Sequence, residues 1–288
     1  MFPYIEILGR NIGMFAIMIL CGIFSSVIYA SIMAKKRKSS NADIIMLVLY
    51  MSIGVIIGGV SLFVLVNIAN NKNIIQANIL NINEIGFIPV LISVFGGAIF
   101  YGGLIGGLIV CFICIRKNSA YSNYIDIIAV SIPLFHFFGR IGCFFGGCCF
   151  GIESSFGFTF QRSLIAEANE INRFPVQLLE ALFNISLFFL LNYFFQNNKF
   201  KNRLVYMYLL IYPTGRFFIE FLRGDEHRGI WGFLSTSQII SIMLFLYALV
   251  RLHISHRKTL DTRSVNLCQY TTGVQNRKRN QKYGKGNI

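Results

Sequence analysis

The sixteen residues from His136 to Gly151 hold most of the unusual chemistry of this chain: one arginine, Arg140, three cysteines and five glycines, set among aromatic residues. A charged side chain at the centre of a bilayer-crossing helix costs about 2.5–3.5 kcal/mol, so such a residue marks a function by default. Glycines there free the backbone, which is tolerated at membrane depth only against protein or a wet cavity. A guanidinium in such a place suits a phosphate, which it grips through two parallel hydrogen bonds. The competing reading is a structural arginine, paired to a carboxylate or reaching for the interface. A second constellation is Tyr212, Arg216 and Glu220. Their four-residue spacing puts them on one helix face, where Arg216 and Glu220 can pair directly. That stripe fits either an anionic ligand near the outer leaflet or a self-contained ion pair holding helices in register. A third run, Arg173 to Glu180, opens a helix with Pro175 and places Gln177 and Glu180 one turn apart; on its own it reads as hydrogen bonding between helices.

The cysteines are weaker signals. His136, Cys143, Cys148 and Cys149 can be drawn as a zinc site, but zinc sites use paired spacings from two strands or helices. One cluster among glycines does not match, and we expect neither metal nor cofactor. Cys21, Cys111 and Cys114 read as small core residues. The Cys148–Cys149 pair lies near the outer face, and the sequence does not settle whether it forms a disulfide.

Seven apolar segments must position these groups. They run Ile12–Met33, Ile44–Ile68, Ile88–Ile115, Tyr124–Phe145, Pro175–Phe195, Leu204–Leu222 and Trp231–Leu252, each near the 20 or so residues that a bilayer core requires. Only 13% of the 288 residues are charged, against 55% hydrophobic, with a mean hydropathy of +0.61. Soluble domains carry about 25% charge, so disordered and fibrous chains are excluded and a soluble enzyme nearly so. The net charge of +14 would suggest nucleic acid on a soluble protein, but its distribution argues otherwise. With seven crossings, eighteen of the 26 basic residues fall on one side and six on the other, leaving Arg140 and Arg216 inside segments. Basic loops are cytoplasmic, which predicts an outside N-terminus, a cytoplasmic C-terminus and no nucleic-acid partner. The first segment lacks a basic start and a small-residue cleavage site, so it reads as a span rather than a cleaved signal.

The expected architecture is an all-α polytopic membrane protein, with one integral membrane domain over residues 1–255 and a basic, disordered cytoplasmic tail over 256–288. No repeat is visible. Two outer segments, Asn70–Phe87 and Gly151–Phe174, exceed what a connection needs; they read as functional arms or as ordinary loops. Phe156–Phe160 alternates like a short strand or interfacial segment. Gly54 and Gly58 fit close helix packing. Gly102 and Gly103 go beyond packing, since consecutive helical glycines cost about 1 kcal/mol each and free the backbone to approach a ligand.

Taken together, these elements resemble the bacterial prolipoprotein diacylglyceryl transferase family. Gly139-Arg140-Ile141-Gly142-Cys143-Phe144 with Gly147-Cys148-Cys149-Phe150-Gly151 is similar to its GRxGN-F…GE…G motif. Tyr101–Gly106 resembles its HGGLIG element, Arg173–Glu180 its P-x-Q-L-x-E helix, Tyr212–Arg223 its Y-x-x-x-R-F-x-x-E-x-x-R helix, and Leu234–Ser241 its LSxxQ-x-x-S helix start. The resemblance covers roughly Gly13–Val250. It implies an enzyme of the bacterial plasma membrane that moves diacylglyceryl from phosphatidylglycerol to the lipobox cysteine thiol of a prolipoprotein signal peptide, leaving a thioether. It assigns phosphate binding to Arg140, leaving-group assistance to Arg216, and orientation of Arg216 to Glu220 and Tyr212. Gly102, Gly103, Gly142 and Gly151 fall on its substrate-binding motifs. Tyr101 stands where the family has histidine, Cys143 where it has asparagine and Cys148 where it has glutamate. Val60 follows Gly58-Gly59 where an arginine is usual, and Ile19 stands for a tyrosine. With an unperturbed pKa near 10, Tyr101 is a poor base for a thiol, and His136 is the candidate replacement. The departures keep a second reading open: a divergent paralogue that binds an anionic phospholipid and serves another acceptor or none.

Overall fold

A computed structural model describes residues 3–7, 10–37, 40–81, 86, 87, 90, 100–118, 121, 124–163, 165–225, 230, 231 and 233–255. The tail and most of residues 88–99 lie outside the described residues. A hairpin of β1 (Tyr4–Ile7) and β2 (Arg10–Gly13) leads into α1 (Met14–Lys36), α2 (Asn41–Leu80), α3 (Phe100–Lys117) and α4 (Ile125–Gly146). Then come β3 (Glu153–Thr159), antiparallel to β4 (Asn172–Arg173), α5 (Val176–Gln196) and α6 (Leu204–Ile219), extended by a 3-10 turn, Glu220–Leu222. Two-residue strands β5 (Ile230–Trp231) and β6 (Leu234–Ser235) precede α7 (Thr236–Ser255).

Each of the seven apolar segments contains a helix. Among the described residues, five helices are long and apolar enough to cross a membrane: Met14–Lys36, Ala42–Ile68, Ile125–Gly146, Val176–Gln196 and Thr236–Ser255. The described parts of α3 and α6 are shorter, at 18 and 16 residues. Leu20, Phe24, Ile28 and Ile32 recur every four residues along α1, and all four are exposed. A continuous outward apolar row is a liability in water and the expected surface in lipid. The chain is a predominantly helical, multi-pass membrane protein.

Among the described residues, two boundaries differ from the sequence expectation by more than three residues. Helix α2 runs to Leu80, through much of the segment read as an outer connection. Neither glycine nor proline occurs from Val60 to Ile85, so nothing breaks the helix after the apolar residues end at Ile68. The extra twelve residues add about 18 Å. Helix α7 starts at Thr236 rather than Trp231 because the preceding residues form the β5–β6 turn. Ser235 and Gln238 then close a reciprocal cap: Gln238 N donates to Ser235 Oγ (3.2 Å), and Ser235 N to Gln238 Oε1 (2.9 Å). This satisfies amides that would otherwise be orphaned at the helix start. The alternating Phe156–Phe160 run forms most of β3, as its pattern indicated.

Helix α4 is central and packs on α1, α5 and α6. Its Ile127 and Val130 enter a core with Leu187, Leu191, Leu204 and Tyr208. Helices α2 and α3 form a second, tight pair. A Cβ added at Gly58 would run into the Gly102 carbonyl, and one at Gly106 into the Gly54 carbonyl, the close approach that small residues permit.

Hydrogen bonds gather the basic helix ends at one end of the molecule. Arg37 Nη2 donates to the Phe195 carbonyl (2.9 Å), Tyr124 Oη to Ser40 O (3.1 Å) and Arg203 Nη2 to Ser255 O (3.1 Å). Asp126 on α4 accepts from the backbone amides of Asn202 and Leu204, capping the start of α6.

Candidate functional site

The opposite end is built from the C-terminal parts of α4 and α6 and the start of α5. Helix α4 stops at Gly147, whose φ of +70° is left-handed, a conformation that favours glycine. Cys148 N returns to Cys143 O (3.2 Å), and Ser163 Oγ fastens the Gly147 carbonyl (3.0 Å). The chain then threads Gly151 between two strands of backbone. Ile152 N donates to Leu222 O (3.0 Å), Gly224 N to Phe150 O (3.0 Å) and Phe174 N to Ile152 O (2.9 Å). A Cβ at Gly151 would meet the Phe174 carbonyl, so a side chain there would part the β3–β4 arm from the end of α6.

Within this end the charges form one alternating line. Arg140 Nη2 pairs with Glu180 Oε1 at 2.9 Å, and Glu180 Oε2 faces Arg216 Nη1 at 3.7 Å. Arg216 Nη2 pairs with Glu220 Oε2 at 2.6 Å, and Arg223 Nη1 stands 3.9 Å from the same oxygen. Arg223 closes the line with a two-pronged contact to Asp225. Three guanidiniums and three carboxylates thus alternate with no formal net charge. Burial disfavours the charge on Arg223, but the Asp225 hydrogen bond and the nearby Cys149 and Glu220 outweigh it, raising its pKa above the usual arginine value. The line is uneven in access: the Arg216 side chain is 3% exposed and that of Arg140 16%. Among the described residues, the ion pairs of Arg140 run to Glu180 alone. Its guanidinium therefore retains donors that an incoming anion can take in a bidentate grip.

Behind Arg140 lies an aromatic wall. His136 packs on Tyr212 (ring centroids 5.0 Å), and Tyr212 stacks on Tyr208 (5.3 Å). His136 Nδ1 is 3.5 Å from the Tyr208 hydroxyl. Tyr212, Arg216 and Glu220 are all buried, as one shared face requires. Gln177 Nε2 donates to Cys148 O (2.8 Å), tying α5 to the turn after α4, while its Oε1 is a buried acceptor without a hydrogen-bond partner among the described residues.

Of the residues singled out from the sequence, the structure brings Arg140, Arg216, Glu220, Tyr212 and His136 together. Gly142 faces α1, where a Cβ would press on Phe15 and Met18. Gly102 and Gly103 lie in the α2–α3 seam, against Gly58, Leu62 and Val55. Tyr101 falls in the first turn of α3, with its side chain outside the described residues. Three members of the ionic line were not among the expected site residues: Glu180, the carboxylate that joins the arginines of two helices, Arg223 and Asp225. Their signal was present, since Glu180 is an ionisable group inside an apolar helix just as Arg140 is.

A family profile described as prolipoprotein diacylglyceryl transferase matches residues 3–254. The phosphatidylglycerol–prolipoprotein diacylglyceryl transferase of Clostridium tetani is 34% identical over 245 residues, 84% of this chain and 92% of the relative. A second such transferase, from Clostridium perfringens, is 32% identical over 256 residues, 88% of this chain and 94% of the relative. One from Campylobacter hominis is 35% identical over 156 residues, about half of each chain. With most of its length matched, the chain belongs to the prolipoprotein diacylglyceryl transferase family.

Proposed function

We propose that this protein transfers the diacylglyceryl group of phosphatidylglycerol to the lipobox cysteine of prolipoproteins in the bacterial plasma membrane. The observation that carries the reading is the pair of arginines, Arg140 and Arg216, joined by Glu180 at 2.9 and 3.7 Å in a chain whose family performs this reaction. The acceptor thiolate attacks the glyceryl carbon, a carbon–sulfur bond forms, the carbon–oxygen bond to phosphate breaks, and glycerol phosphate leaves with the electron pair. Negative charge grows on the leaving phosphate, which is what a prepositioned guanidinium stabilises more in the transition state than in the ground state.

Arg140, the more accessible cation, binds the lipid phosphate. Arg216 assists departure, held by Glu220 and backed by Tyr212. Glu180 keeps both guanidiniums in register before lipid arrives. His136 takes the thiol proton, with Tyr101 contributing from α3. Gly142 and Gly151 let α4 and the arm close around the lipid, and Gly102 and Gly103 let α3 do the same beside α2. The basic end faces the cytoplasm, so the N-terminus and the site face outward, where secreted prolipoproteins emerge. Residues 1–255 make up the membrane domain. The basic charge of residues 256–288 suits the anionic inner leaflet rather than nucleic acid.

The test is complementation. A bacterium depleted of its own transferase receives the full chain, and a reporter prolipoprotein is analysed by mass spectrometry for the diacylglyceryl adduct. Lipidation by wild type and none by Arg140→Ala is the expected result. Unmodified reporter with the wild-type chain correctly inserted overturns the reading.

A further inference from the structure

Three sulfurs have no part in that chemistry. The Sγ atoms of Cys143, Cys148 and Cys149 all lie within 4.8 Å of one another, and each cysteine is a free thiol. We propose that they form a binding site for one thiophilic d10 cation of the zinc or cuprous class, held by three thiolates at the outer end of α4.

Backbone geometry creates the cluster. Left-handed Gly147 and then Cys149, with φ of +54°, fold the chain back over the last turn of α4. That brings Cys148 onto the Cys143 carbonyl through N (3.2 Å) and Sγ (3.7 Å). A non-glycine residue at positive φ is uncommon and points to a conformation imposed by its surroundings. Three sulfurs about 2.3 Å from one ion stand about 4 Å apart, so closing on a metal asks for sulfur shifts of under about 1 Å. The chemistry of the donors selects the metal, because three thiolates suit soft ions and not magnesium or calcium. Three thiolates around a divalent ion leave one negative charge, and the guanidiniums of Arg140 and Arg223 are close enough to act on it. Cys143 is buried and the other two are half-buried, so an ion has a way in. The Gln177 side chain holds the Cys148 carbonyl from outside, as second-layer hydrogen bonds do at metal sites. The spacing C-x4-C-C argued against zinc in the sequence because paired motifs were expected; the reversal at Gly147 supplies the convergence that spacing alone does not.

The probe is cadmium, whose thiolate bonds absorb in the ultraviolet. Full-length protein in detergent, reduced and then freed of reductant, is titrated with Cd2+. We expect one ion per chain, a sulfur-to-cadmium charge-transfer band, and displacement by Zn2+ or Cu+. Cys148→Ser should weaken binding about tenfold or more, and the triple serine variant should lose the band. A variant with serine at Cys21, Cys111, Cys114 and Cys268 should keep it. A band that survives the triple variant, or that vanishes in the fourfold control, overturns the site. So does a disulfide among the three in protein isolated without reductant. A readout on the wild-type chain covers variants that fail to fold: Cd2+ should protect Cys143, Cys148 and Cys149 from maleimide while Cys268 still reacts, and equal labelling of all four overturns the proposal.

Discussion

The two ends of the helix bundle both bury carboxylates, yet they treat them in opposite ways. At the basic end Asp126 is spent on backbone: it accepts from the amides of Asn202 and Leu204 and fixes where α6 begins. Its partners are peptide groups that belong to the fold and go nowhere. At the other end Glu180 and Glu220 are shared among three guanidiniums, and Gln177 Oε1 has no hydrogen-bond partner among the described residues. A buried ion network earns little stability for its desolvation cost, so its presence calls for a reason other than holding helices together. The difference separates a closed polar contact, which is finished when the protein folds, from an open one, which is finished when substrate arrives.

The strongest way to break this comparison is to remove the shared carboxylate. Glu180→Ala leaves Arg140 without its ion pair and Arg216 with Glu220 alone, and we expect a loss of about 3 kcal/mol in stability, read as a fall in the thermal midpoint in detergent, along with loss of transfer. A variant as stable as wild type would mean that Glu180 is not the link between Arg140 and Arg216. Next in size is Arg140→Ala. Because its ion pairing among the described residues is confined to one carboxylate and its side chain is partly exposed, most of its effect should fall on rate, at about 100- to 1,000-fold in kcat/KM, with a small change in midpoint. An equal loss of stability and rate would place Arg140 with the closed contacts instead.

How much of this was readable in the sequence follows the same division. The helices of the described residues were legible because each lies in an apolar run, and the gathering of basic helix ends was legible because charge sorts by side. Arg140 and Arg216 stood out as charges in apolar surroundings. Glu180 carried the same signal and was read as helix–helix hydrogen bonding, because in sequence it sits near Gln177 and far from either arginine. Its partners come from α4 and α6, and only packing supplies that adjacency. The length of α2 was misjudged because polarity was taken as a stop, when the physical stops, glycine and proline, are absent until Gly86. The role of Gly151 also needed the fold: its neighbours are the Phe174 and Leu222 carbonyls, which lie far along the chain.

Smaller effects sharpen the comparison. Asp126→Ala removes a cap made of two backbone bonds, so we expect about 1–2 kcal/mol in stability, unchanged kcat/KM at a temperature where the variant is folded, and faster amide exchange in the first turn of α6. A rate defect in fully folded Asp126→Ala would show that the basic end is coupled to the chemistry.

The smallest effect tests whether location or closure is what matters. Ser235 sits at the site end of the molecule, with Ser237 Oγ 3.5 Å from Arg216 Nη2 just beyond it. Its own contacts are nonetheless closed, since Ser235 and Gln238 satisfy each other's amides. Ser235→Ala should therefore behave like Asp126→Ala and unlike Glu180→Ala. The expected loss is about 1 kcal/mol, measured by thermal melting, with transfer rate at saturating lipid within about twofold of wild type. If the rate falls by tenfold or more while the midpoint barely moves, the start of α7 belongs to the open network. Arg216 would then depend on the α7 cap for its position as well as on Glu220.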